Sequence, residues 1–141
     1  MGKINCGKLA LGGIVAGIIM NVIDFVVNGV FLGNQWMEAT KALGKDPAAA
    51  EPMGMIGWIA VDMFMGFFLV WLYAAIRPRY GAGPKTALRA SLALWTVALF
   101  HFSSYWFMGL YPVGLVLSSC AGGLLAVLAG GMAGCWLYKE A

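Results

Sequence analysis

Asp24, Asp62 and His101 each stand inside a long apolar run, and these are the residues whose types could do chemistry. A charged side chain at the centre of a bilayer costs about 2.5 kcal/mol or more on insertion scales, so each is expected to face other helices and to be paired, hydrated or neutral. Carboxylates and an imidazole so placed are the parts of a proton or cation relay. Asp24 and Asp62 would titrate or coordinate a cation, and His101 would shuttle a proton. The competing reading is a structural clamp, since polar side chains also join helices at about a kcal/mol or less per bond.

The neighbours of these residues extend the pattern. Asn21, Asp24 and Asn28 are spaced by three and four, which on a regular helix puts them on one face within roughly 60°. Gly17 continues that face inward, and Gly66 follows Asp62 by one turn. His101 and Ser104 share a face with Tyr105 beside it, while Ser118, Ser119 and Cys120 stand near the start of the final apolar run. Measured from the ends of the runs, Asp24, Asp62, His101 and Ser118 to Cys120 each lie about six to eight residues in, roughly 9 to 12 Å at the helical rise. The spacing predicts one polar layer, with Asn21 and Asn28 lining the approach and Trp58 and Trp106 capping it.

Other chemistries find less in the sequence. Two aspartates and a histidine can form a facial metal site, but paired ligands at helical spacing, as in HExxH, are absent, and the metal is left unassigned. His101 is the only histidine, which excludes a bis-histidine haem within one chain. Met53, Met55, Met63 and Met65 spread around a helix and read as packing groups rather than soft-metal ligands. No catalytic set is identified and no cofactor is predicted.

The elements that must position these residues follow from composition. Of 141 residues, 62% are hydrophobic and 11% charged, a balance that a water-soluble domain of this size does not hide. A membrane span needs roughly 20 apolar residues, and Leu9 to Leu32, Gly54 to Ile76, Thr86 to Met108 and Pro112 to Tyr138 meet that length. Between the first two, Gln35 to Leu43 reads as a short amphipathic helix ending at Gly44 and resting at the interface. The basic turn Arg77 to Lys85 is rich in glycine and proline, and the link around Tyr111 and Pro112 is short. Lys3 and Lys8 precede an apolar run without a cleavage site, so that run is expected to remain as the first span.

The net charge of +3 is scattered over loops, which points to membrane topology rather than to nucleic acid. With four spans, Lys3, Lys8, Arg77, Arg79, Lys85, Arg89 and Lys139 share one side, leaving Lys41 and Lys45 opposite. The N and C termini are therefore expected in the cytoplasm of a bacterial-type inner membrane. In the last span, Gly122, Ala126, Gly130 and Gly134 continue a small-residue stripe from Ser118, of the kind that lets helix backbones approach closely in lipid. That stripe is expected to pack within the monomer, with packing against another copy as the alternative. Cys6, Cys120 and Cys135 form no CxxC pair, and no disulfide is expected.

The segment Gly29-Val30-Phe31-Leu32-Gly33-Asn34-Gln35-Trp36-Met37 resembles the Phe-Gly-x-x-Trp-Met stretch of a family of small bacterial four-helix membrane proteins, a domain of unknown function (DUF1761-like). The small-residue third run from Ala90 to Trp95 and the glycine-rich final run are similar too. The resemblance implies a fold but no activity, and Asp24, Asp62 and His101 match no motif of that family.

The expectation is thus an all-α, integral membrane four-helix bundle with a short amphipathic outer helix between helices 1 and 2, forming a single transmembrane domain over residues 1–141. Its surroundings would be the lipid bilayer, as a homo-oligomer or part of a larger membrane complex. Two roles compete: a transport or channel-like component for protons, cations or small solutes, or a non-catalytic accessory or assembly subunit.

Overall fold

A computed structural model describes residues 4–139, the side chains of Ala50 and Glu51 excepted. Lys3, one of the charges used for topology, lies outside the described residues. The described chain is helical and without strands: α1 (Cys6–Asp24) runs directly into a π-helical segment (Phe25–Phe31), followed by α2 (Gly33–Ala42), α3 (Pro47–Tyr80), α4 (Pro84–Phe107) and α5 (Val113–Leu137).

Local chemistry sets the helix ends. The Asn5 side chain accepts from the Lys8 backbone N–H at 3.1 Å and opens α1. Asp46 does the same for Ala48 at 3.0 Å, with Pro47 at the first helical position, where its missing N–H costs nothing. α3 therefore starts at Pro47 rather than near Gly54, and carries Pro52 within it. Hydropathy marks where a helix enters lipid, whereas the cap marks where it begins. Gly44 ends the short connector with φ +73°, and Gly81 ends α3 with φ +82°, conformations that glycine adopts without a Cβ penalty.

Three stretches are long and apolar enough to cross a membrane: Cys6–Phe31, Pro52–Tyr80 and Val113–Leu137. α4 has 24 residues, enough to span by length, but Thr96, His101, Ser103, Ser104 and Tyr105 dilute its apolar character below that of the other three. Of the four expected spans, three are borne out on length and composition together. The outer surface fits a lipid environment, with Phe31, Phe64, Val97, Phe100, Phe107 and Trp136 all exposed.

α1 is the central element, packed on α3 along one side and on α5 along another, while α4 covers α5 and touches α3 more lightly. Glycines set both α1 contacts. On the α3 side, a Cβ built on Gly66 would stand 2.7 Å from the Gly13 carbonyl oxygen, and one on Gly17 would stand 2.9 Å from the Met63 Cα. On the α5 side, a Cβ on Gly130 would stand 2.8 Å from the Ala16 carbonyl oxygen, and one on Gly134 2.8 Å from the Ala16 Cβ. Gly122 faces Val27 in the same way. The α5 stripe of Gly122, Ala126, Gly130 and Gly134 is buried and packs within the chain, as the small-residue spacing suggested. The second face, Gly12 and Gly13 with Ala16 and Gly17 on α1, was not read from the sequence as a packing surface.

The main core gathers Met20, Leu69, Val70, Leu94 and Val127 with alanines from all four long helices. A smaller cluster of Leu32, Ala39 and Leu115, with Val27, Trp36 and Tyr111 against it, seats α2 on the π segment and the start of α5.

Candidate polar site between α1, α3 and α5

Asp24 closes α1, and its carboxyl lies within hydrogen-bonding reach of that of Asp62 on α3. Asp62 is buried and Asp24 half-buried. A hydrogen bond between two carboxyl groups requires that at least one carry its proton, because two carboxylates are acceptors only. One turn before Asp24, the Asn21 side-chain N–H donates to the Gly17 carbonyl at 3.0 Å and to the Ile59 carbonyl at 3.3 Å. Asn21 thereby ties α1 to α3 within a turn of each carboxyl.

Asn28 is elsewhere. Its side-chain oxygen accepts from the Trp36 indole N–H at 3.2 Å and from the Ser119 hydroxyl of α5. The cause is the π segment, in which Leu32 N–H reaches back five residues to the Val27 carbonyl at 2.8 Å. A wider turn advances each residue through a smaller angle than the α-helix does. Asn28 therefore swings from the α3 side, where regular spacing puts it beside Asn21, onto the α5 side. The expectation that Asn21, Asp24 and Asn28 share one face is corrected accordingly.

The expected single layer divides further. His101 is exposed on α4, in edge contact with the Tyr105 ring at 5.8 Å. Ser104 donates to the His101 carbonyl, a bond within its own helix. Ser118 is exposed and Ser119 buried, so only the second of the two serines joins the polar contacts. Trp58 and Trp106 are exposed. A helical wheel shows which residues share a face but not which face looks inward, and α4 turns its Ala87, Ala90, Ser91 and Leu94 face to the core.

Two tryptophans do work that was not read from the sequence. Trp36, expected at the interface, is an inner hub: besides its bond to Asn28, its ring meets Tyr111 edge-on at 5.1 Å and Phe102 at 6.0 Å. Trp95 donates from its indole N–H to the Cys120 carbonyl at 2.9 Å and holds α4 to α5. The available signal was the polarity of the indole N–H, which seeks a partner when buried.

Among the described residues, no three His, Cys, Asp or Glu side chains gather closely enough to hold a metal ion. The three cysteines are free thiols, Cys6 exposed and Cys120 and Cys135 buried. The arrangement thus offers two separate devices: a protonatable carboxyl pair between α1 and α3, and a neutral hydrogen-bonded tie between the π segment, α2 and α5. Comparison with family models, with curated proteins and with solved structures finds no match to this chain.

Proposed function

We propose that the chain is a small four-span membrane component that moves protons or cations, with Asp24 and Asp62 as its exchange site. The observation that carries this reading is the carboxyl-to-carboxyl contact, buried between two helices of spanning length. Such a pair holds and releases a proton, or exchanges it for a cation, and its cost inside apolar helices is what favours a functional reading. α4 is the fourth span in this reading, held against α5 by the bond from the Trp95 indole to the Cys120 carbonyl. The loop charges support an inner-membrane topology with both termini in the cytoplasm, and the DUF1761-like resemblance fits the same architecture. His101 is not part of the relay.

The test is flux in proteoliposomes containing the purified protein, read with a pH-sensitive dye and with cation-selective dyes. Asp24→Asn and Asp62→Asn are expected to reduce proton or cation flux at least tenfold. Flux in the double variant equal to that of the parent chain overturns the proposal.

A second reading is favoured by a specific observation. Asn21 bridges α1 to α3, and Asn28, Ser119 and Trp36 bridge three further elements, an arrangement suited to holding helices rather than passing ions. On this reading the chain is an accessory or assembly subunit of a larger membrane complex and the polar residues are a clamp. Native purification that co-isolates defined partner proteins, together with unchanged flux in the aspartate variants, supports it.

A further inference from the structure

At the end of the molecule where α3 stops, α4 starts and α5 stops, a half-open cavity of about 490 Å³ is lined by Tyr73, Arg77, Met132, Trp136 and Lys139 among others. Its floor is fixed. The Tyr73 and Tyr138 rings meet edge-on at 6.0 Å, the Tyr73 hydroxyl accepts from Gly83 N–H at 3.1 Å, and the Tyr138 hydroxyl accepts from Asn5 N–H at 3.4 Å. Its rim is cationic: the Arg77 guanidinium sits 5.8 Å from the centre of the Tyr138 ring, and Lys139 is exposed. Lys85 and Arg89 begin the adjoining helix.

The wall is apolar and leads toward the middle of the molecule. Trp136 is 81% exposed, and Met132, one turn deeper on α5, is 42% exposed. Charge at the mouth, an exposed tryptophan at the level where a spanning helix ends, and an apolar side running inward match a molecule with an anionic head and a hydrocarbon tail. Basic pockets between spanning helices recognise lipid headgroups by this combination. The volume falls within the range of small-molecule sites.

We propose that this cavity binds an anionic phospholipid, its phosphate between Arg77 and Lys139 and one acyl chain along Trp136 and Met132. The site stands at the C-terminal end of α3, whereas Asp62 lies near the middle of that helix, and it does not depend on the flux proposal.

Native mass spectrometry of the intact protein tests it, with phosphatidylglycerol, cardiolipin and phosphatidylcholine of matched chains titrated separately. Anionic lipid is expected to bind roughly tenfold more tightly than phosphatidylcholine. R77Q/K139Q is expected to lose that preference, and K41Q/K45Q, which removes the same charge at the opposite end, to keep it. Ala82→Trp, at an exposed lining position, is expected to block binding while leaving every charge in place, and it carries the test if the charge variant does not fold. Equal adducts with all three lipids, equal loss in K41Q/K45Q, or binding untouched in A82W overturns the proposal. Displacement of the lipid by millimolar inorganic phosphate overturns it too, by making the occupant a free anion.

Discussion

Asn28 and Ser119, 91 positions apart in the chain, share a hydrogen bond in which the Ser119 hydroxyl donates to the Asn28 side-chain oxygen, and the same oxygen also accepts from Trp36. One amide thus joins the π segment, α2 and α5. Bonds between helices in membrane proteins average about 0.6 kcal/mol and reach about 1.7. Asn28→Ala is expected to cost more than Ser119→Ala, because it strands two donors. A double-mutant cycle on N28A and S119A, read from unfolding in detergent or bicelles, is expected to show coupling of about 0.6 kcal/mol or more. Strict additivity would show that the bond contributes nothing.

The glycine faces of α5 make a graded prediction. Gly130→Ala places a methyl against the Ala16 backbone and is expected to destabilise by about 1 to 3 kcal/mol, as overpacking does. Gly123→Ala meets nothing within 4 Å and is expected to be neutral or to stabilise by up to about 1 kcal/mol through helix propensity. Thermal unfolding of the two variants side by side checks the contrast. Equal effects would remove α5 from its place against α1.

Ser91 is fully buried on α4 against Gly131, and among the described residues its hydroxyl has no hydrogen-bond partner. A buried hydroxyl left unsatisfied costs roughly 1 to 3 kcal/mol. Ser91→Ala is therefore expected to raise the unfolding free energy by about 1 kcal/mol, measured in the same assay. A loss of stability on that substitution would reveal a bond to this hydroxyl.

The carboxyl pair predicts a spectroscopic signal. A shared hydrogen bond needs a proton on one partner, so the infrared spectrum is expected to contain a protonated-carboxyl C=O band that shifts on deuteration. It should shift in both Asp24→Asn and Asp62→Asn, since each replaces one partner of the pair, and vanish in the double variant. His101→Gln should leave it unchanged and alter stability by less than about 0.5 kcal/mol, as for an exposed position. A band unmoved by either single substitution, or still present in the double variant, contradicts the pairing.

The extents of the helices were largely legible because two independent constraints act on them, the length needed to cross a bilayer and the breakers at Gly44, Gly81 and Pro84. The amphipathic connector was legible for the same reason: it was expected over Gln35 to Leu43, and α2 is found over Gly33–Ala42. The small-residue stripe of α5 was legible as a surface, and its partner became apparent only when α1 supplied Gly12 and Ala16. Inward and outward faces were harder. His101 and Ser104 sit correctly on one helix face, but the alanine-rich face of α4 is the one that packs. Asn28 was misplaced for a sharper reason: no residue in Phe25 to Phe31 announces the wide turn that brings it to Ser119.

α1 is enclosed by α3 on one side and by α5 on the other, and this has a meaning in time as well as in space. A ribosome delivers α1 long before α5, and the bond from Asn5 to Tyr138 joins residues 133 positions apart. While synthesis proceeds, the Gly12 and Ala16 groove of α1 stays bare, open to lipid or to any other helix with a row of small side chains. The last helix therefore acts as the lock of the assembly, closing a groove that any shorter chain would leave open.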